Sequence, residues 1–482
     1  MTIRASDADQ APELHSPVCL PQHRRYLLAA AVLASSMGFI DSSVTAVALP
    51  AMRASLGASL EGAQWISASY LLTMTALVLV GGAMGDRFGI ARVFAAGIAA
   101  FVLFSLACAL AVTPAQMIIA RALQGLAAGV MVPGSMSLVA RAYPRAERGA
   151  ALGLWAAAST ATTAFGPVLG GLILSSGGPE IWRVIFALNL PLGLTAWVLL
   201  RRYALADPGQ PGARIDIGGA ILAIIGLGLI AAGLTTEGPL GLPLCLGGLV
   251  GCVAFVLWER RVPQPMIRLG MFANRAFAAA NLATFLLYFA ITGVGFYLPM
   301  TAMSAWGLSP VEVTLALLPV SILIALMSAP VGRLADRIGP FGLMASGAGV
   351  VALSQIGLVF SLDDPQFWTR IVPLIAVSGF GIALVVAPLT IAVMREAGDA
   401  EQGAASGINN VVARAATLVA VALLGRVAAE AYGPGQPGFG IASTSPAHLA
   451  ATAAGFAWIA GLAAAASLAS AVVSALQINR RR

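Results

Sequence analysis

Residues 82–89 read GAMGDRFG and residues 332–339 read GRLADRIG. Both fit G-x-x-x-D-R-x-G, and Asp336 follows Asp86 by 250 residues. A single such octapeptide is an ordinary glycine-containing turn with a capping Asp. Two copies at matching depth are not: Asp86 lies 60 residues past Tyr26, and Asp336 lies 59 past Phe277. The two halves therefore align as parallel repeats, with residues 204–276 left over between them.

Counting outward from these loops gives the size of each repeat. About 20 apolar residues at roughly 1.5 Å each span the hydrocarbon core of a bilayer. Fourteen runs approach that length: 26–49, 65–84, 93–112, 116–139, 149–174, 183–200, 216–236, 240–258, 277–303, 312–332, 341–361, 370–393, 404–427 and 449–476. The expected fold is an all-α integral membrane protein with two six-helix bundles as parallel repeats and two inserted helices. Its divisions are a disordered cytoplasmic head (1–23), an N-terminal bundle (24–203), a two-helix insertion (204–276) and a C-terminal bundle (277–482). Six-plus-six parallel repeats characterise secondary transporters whose substrate site lies between the repeats near the bilayer midplane.

Composition points the same way. The 482-residue chain is 59% hydrophobic and 10% charged, where a soluble domain carries about 25% charged residues. All 27 basic residues are Arg. Without Lys there is no phosphate-loop lysine, Schiff base or lysine general base, and His15, His23 and His448 lie outside the apolar runs. Enzymatic chemistry, metal binding and a resident cofactor are not indicated. Cys19, Cys108, Cys245 and Cys252 show no CxxC spacing and read as small buried hydrophobes. The Arg residues punctuate apolar runs instead of forming an aromatic-interleaved patch, which argues against nucleic acid.

Their placement also sets an expected orientation. With the N-terminus inside, 21 Arg fall on the inner side, and Arg53, Arg183, Arg370 and Arg426 on the outer. Arg121 and Arg414 fall within helices. This bias predicts a cytoplasmic (inner) membrane protein with both termini cytoplasmic. The oligomeric state is not readable.

Four further stretches carry a resemblance. They are IDSSVTAVALP (40–50) on helix 1, RALQG (121–125) on helix 4, GPVLGG (166–171) on helix 5 with Gly153 thirteen residues earlier, and WRVIFALNLPLG (182–193) leading into helix 6. With the GAMGDRFG loop, the chain resembles the fourteen-helix drug:proton antiporters of the major facilitator superfamily over residues 24–476. It departs from the family pattern at Ile90 and Ala91 in the loop, Thr162 on helix 5 and Ala46 on helix 1. The resemblance implies export, a gating role for Gly82, Asp86, Arg87, Gly89, Asp336 and Arg337, and a seal against proton leak at Gly153, Gly166, Pro167, Gly170 and Gly171. The glycines allow close backbone approach and Pro167 removes a donor, so plain small-residue packing is an equal reading.

A charge at membrane depth costs about 3 kcal/mol or more and is kept where it faces a cavity or a partner. Asp41 is the one carboxylate well inside an expected span, at a depth similar to that of Arg121. A proton-coupling pair, Asp41 with Arg121, is the expectation; a static ion pair is the alternative. Asp86 and Asp336 are expected to pair with helix N-termini or with Arg87, Arg92 and Arg337. Arg414 has no carboxylate in its own bundle and is read as a structural contact to Asn410 and Thr417, with anchoring of an anionic substrate as the alternative. Substrate-cavity candidates are Phe39, Gln124, Asn281, Thr284 and Tyr288, the last three with Thr292 forming a polar stripe that serves equally as interhelical glue. The expected function is proton-coupled export of small amphipathic organic compounds. Its partners are a small-molecule substrate, protons and the lipid bilayer. Uptake symport and a non-transporting membrane sensor are the alternatives.

Overall fold

A computed structural model describes residues 18–205, 207–209, 215–236, 238–362, 366–396, 402–433 and 438–478. Each of the fourteen apolar runs falls on a helix, as expected where backbone polar groups must be satisfied within the segment. The helices of the first half are α1 (Arg24–Leu56), α2 (Leu60–Phe88), α3 (Ile90–Leu110), α4 (Pro114–Ala142), α5 (Arg145–Ser175) and α6 (Arg183–Tyr203). Then come α7 (Ile217–Thr235) and α8 (Gly241–Glu259). The second half holds α9 (Arg275–Ser304), α10 (Pro310–Ile338), α11 (Pro340–Val359), α12 (Val372–Arg395), α13 (Gln402–Tyr432) and α14 (Pro446–Ile478). Thirteen of these are long and apolar enough to cross a membrane, and α5 adds a helix of 31 residues. No strand occurs among the described residues.

Local chemistry sets the boundaries. Ser59, Thr113 and Asn274 cap α2, α4 and α9 by accepting from backbone N–H groups, and Ser309 with Glu312 forms a reciprocal capping box on α10. The closing glycines of the two octapeptides, Gly89 and Gly339, have φ of 94° and 87° and end α2 and α10. A side chain rarely adopts that conformation, which explains the last position of the motif. Helix α6 is broken at Leu188 into Arg183–Ala187 and Asn189–Tyr203. Pro191 is the cause: it has no N–H for Ala187 O and its ring crowds that carbonyl.

The halves repeat in their packing as well as in sequence. Contacts α2–α4, α3–α4, α1–α5 and α1–α6 recur as α10–α12, α11–α12, α9–α13 and α9–α14, each helix displaced by eight. Between halves the principal contacts are α5–α10 and α2–α13, which the same displacement interchanges. Three large cores result. One joins both halves at the face opposite the octapeptide loops, with Val44, Leu49 and Met52 against Phe296, Tyr297 and Leu424. Toward the loop face the core divides into one cluster per half, around Phe94 and Leu138 in the first and Phe341 and Val385 in the second.

The inserted hairpin is not detached. Helix α7 lies in the seam between α2 and α13, where Ala231 joins Ala68, Leu72, Leu418 and Ala422 in one apolar cluster. Of the expected disordered head, residues 1–17 lie outside the described residues. From Val18 onward the chain is packed: Val18 and Cys19 are buried in the first half's loop-face core, and Val18 O accepts from Leu205 N.

Candidate functional site

Asp41 on α1 and Arg121 on α4 meet in the interior, with relative exposures of 1% each. Arg121 Nη1 donates to Asp41 Oδ2 at 2.6 Å and Nε donates to Ile66 O at 3.2 Å. Gln124, one turn further along α4 and fully buried, closes a triangle: its Nε2 donates to Asp41 Oδ1 at 3.1 Å, and its Oε1 accepts from Arg121 Nη1 at 2.8 Å. The guanidinium also stacks over Tyr70, 4.2 Å from the ring centroid. Both carboxylate oxygens are thus occupied by side-chain donors, the condition under which a buried charge is tolerated.

Arg121 and Tyr70 reach one wall of a cavity of about 280 Å³ between the halves. The first half supplies Ser42, Thr45 and Ser67, and the second Thr292, Phe296, Thr417 and Val421. Asp41 stands behind Arg121, outside this lining.

The other cavity candidates divide. Tyr288 lines a smaller space of about 120 Å³ with Asn410 and Ala413. Asn281 and Thr284 do not line either space; both are buried and accept from Asn409 Nδ2 of α13, at 3.2 and 2.7 Å. They are interhelical glue. Gln124 is bound into the ion pair and Phe39 is half-buried, and neither is among the residues lining the two spaces.

At the loop face, Asp86 Oδ1 accepts from Arg141 Nη2 at 2.9 Å, and Asp336 Oδ1 from Arg395 Nη2 at 3.0 Å. Among the described residues the partners are not Arg87, Arg92 or Arg337, all of which are exposed. Arg141 and Arg395 lie in the last turn of α4 and of α12, equivalent helices in the two repeats. Asp207, from the insertion, joins the first half's pair: Oδ2 accepts from Ile90 N at 3.1 Å and from Arg141 Nη1 at 3.4 Å. The second repeat has Pro340 at the position of Ile90 and so lacks that donor. The Asp86 and Asp336 pairs each join helices of a single half.

Across the halves, contact is made at the opposite face. Gln64 Nε2 donates to Tyr297 Oη and to Val421 O, each at 2.9 Å, and Arg53 Nη1 donates to Phe439 O at 2.6 Å. These hydrogen bonds tie the halves together at that face.

Residues 31–421 match the family model of the Major Facilitator Superfamily. The chain belongs to the major facilitator superfamily. Among its relatives, the multidrug resistance protein Stp of Mycobacterium tuberculosis (strain CDC 1551 / Oshkosh) is 32% identical over 401 residues, 82% of this chain and 74% of Stp. The methylenomycin A resistance protein of Bacillus subtilis is 31% identical, over 81% of this chain and 84% of its own. The tetracenomycin C resistance and export protein of Streptomyces glaucescens is 30% identical, over 84% and 76%. A bacterial homologue of the lysosomal transporter Spinster, solved inward-facing and unoccupied, has the same fold: TM-score 0.69, 15% identity, covering 94% of this chain and 96% of its own. With its candidate spans, this superfamily member is a multi-pass membrane protein.

Within that fold, α5 packs as its glycines predict, with one exception. A methyl group at Gly166 or Gly170 would collide with Ser43 or Val44 of α1, and one at Gly171 with Thr314 of α10. Gly153 has nothing within 4 Å and takes no part in close packing. Pro167 lies inside α5. The contacts that sequence reading missed are Arg141, Arg395, Asp207, Asn409 and the Gln64–Tyr297 bridge. Only the two arginines carried a signal, their matching place at the end of equivalent helices.

Proposed function

We propose that the chain is a secondary active transporter that exports small amphipathic organic compounds in exchange for protons. The loop face and both termini are cytoplasmic, and the membrane is the cytoplasmic (inner) one. The observation that carries this is the buried Asp41–Arg121–Gln124 triangle, whose arginine reaches the cavity between the halves. Relatives named for multidrug and antibiotic resistance or export support the direction.

Ionised, Asp41 accepts from both Arg121 and Gln124; protonated, it gives up part of that capacity and frees the guanidinium toward the cavity. Proton and substrate thus act on the same arginine, which couples their binding; the direction of export rests on the relatives. The bundles of residues 24–203 and 277–482 move against each other, and the 204–276 insertion rides on the seam. Asp86 with Arg141, and Asp336 with Arg395, hold the loop-face ends of each half and gate their approach. Glycines 166, 170 and 171 seal α5 against α1 and α10 on the outer side. A mostly apolar cavity wall with a few hydroxyls suits amphipathic molecules.

The test is everted vesicles from an efflux-deficient host carrying the protein, energised to an acidic interior. Addition of a transported amphipathic dye is expected to dissipate the pH gradient as dye accumulates inside. Dye leaving these vesicles together with protons would establish uptake symport instead.

A further inference from the structure

A second arginine lies at depth, and the proton-coupling reading does not use it. Arg414 is on α13, three residues before Thr417, which lines the larger cavity, and directly after Ala413, which lines the smaller one with Tyr288. Its charge interacts with Tyr70 of the first half and Tyr288 of the second. It stands between the two spaces without lining either, and its contact with Met74 reaches the first half.

Its protein partners are poor. Nη1 donates to Met74 Sδ at 3.1 Å, a weak acceptor, and Nε is buried without a partner. The two polar side chains on its own face bond elsewhere: Asn410 Nδ2 donates to Ser406 O, and Thr417 Oγ1 to Ala413 O. Asp41 is held by Arg121 and Gln124, and among the described residues no carboxylate pairs with Arg414. A purely structural arginine at this depth would be expected to hold carbonyls or a carboxylate. This one keeps most of a planar fork of five donors unused.

We propose that Arg414 is the anion subsite of the central cavity, and that the compounds handled include amphipathic organic acids. A planar carboxylate is taken by the guanidinium fork while the apolar body lies against Leu71, Phe296 and Val421. That these compounds are exported rests on the reading above; that they bind does not.

Equilibrium dialysis on the purified full chain in zwitterionic-lipid nanodiscs tests the subsite with three matched probes: naphthoate, the neutral naphthylmethanol and the cationic naphthylmethylammonium. Wild type is expected to bind naphthoate at least about tenfold more tightly than the alcohol, the scale of one charge-assisted hydrogen bond. Arg414→Gln removes that preference and leaves alcohol binding unchanged, and Arg414→Lys keeps only part of it. A wild-type protein that does not prefer naphthoate overturns the proposal without recourse to any variant. So does a full preference in either variant. If the preference holds while proton-energised vesicles export none of the probes, the subsite stands and the export reading is the one that fails.

Discussion

Asp41 has both carboxylate oxygens filled by α4, and Arg121 is held at once by Asp41, Gln124, Ile66 O and the Tyr70 ring. Such a set needs a planar, forked cation, which lysine cannot replace. Arg121→Lys is expected to lower gradient-driven transport at least about tenfold, the loss of one charge-assisted bond, with normal yield and a monodisperse elution profile. Transport assays in vesicles at matched expression check this. The pair was legible because a charge inside an apolar run is costly and so has to be explained. Gln124 was legible only as a polar residue near the pair: three positions after Arg121 it shares a face, but the sequence does not say whether its amide turns to the cavity or to the carboxylate. The same holds for Asn281 and Thr284, whose partner Asn409 comes from a helix more than a hundred residues away.

Helix α5 distinguishes two kinds of glycine that look alike in sequence. Gly170 lies against the buried Val44 side chain, and Gly153 faces open space. Gly170→Leu is expected to destabilise the protein by about 1–3 kcal/mol through overpacking, and Gly153→Leu to be neutral or to stabilise by up to about 1 kcal/mol through helix propensity. Thermal unfolding midpoints in detergent separate the two. The apolar runs were legible as helices, because hydrophobic length marks a span, although α1 continues to Leu56 and α2 starts at Leu60, beyond the runs 26–49 and 65–84. The break in α6 was implicit in Pro191. By contrast, the seat of α7 between α2 and α13 was invisible: an evenly apolar helix carries no stripe to show which face is covered.

At the scale of the whole molecule, one core joins the halves at the far face, and toward the loop face each half has a core of its own. Alternation between this arrangement and its converse is what transport requires, and in the proposed mechanism the proton on Asp41 biases it. Spin labels at Arg87→Cys and Arg337→Cys, exposed on the two octapeptide loops, report the separation in a background lacking the four native cysteines. Wild type is expected to show two distances whose ratio shifts with pH, and Asp41→Asn a ratio independent of pH. The repeat that predicts such motion was legible from the paired octapeptides. The state observed was not, because it depends on contacts such as Gln64 with Tyr297 that join distant parts of the chain. The most direct test of proton coupling compares two modes of transport by Asp41→Asn in proteoliposomes. Counterflow exchange of substrate should continue near the wild-type rate, whereas accumulation driven by a pH gradient should vanish. Full gradient-driven accumulation by Asp41→Asn would contradict the account.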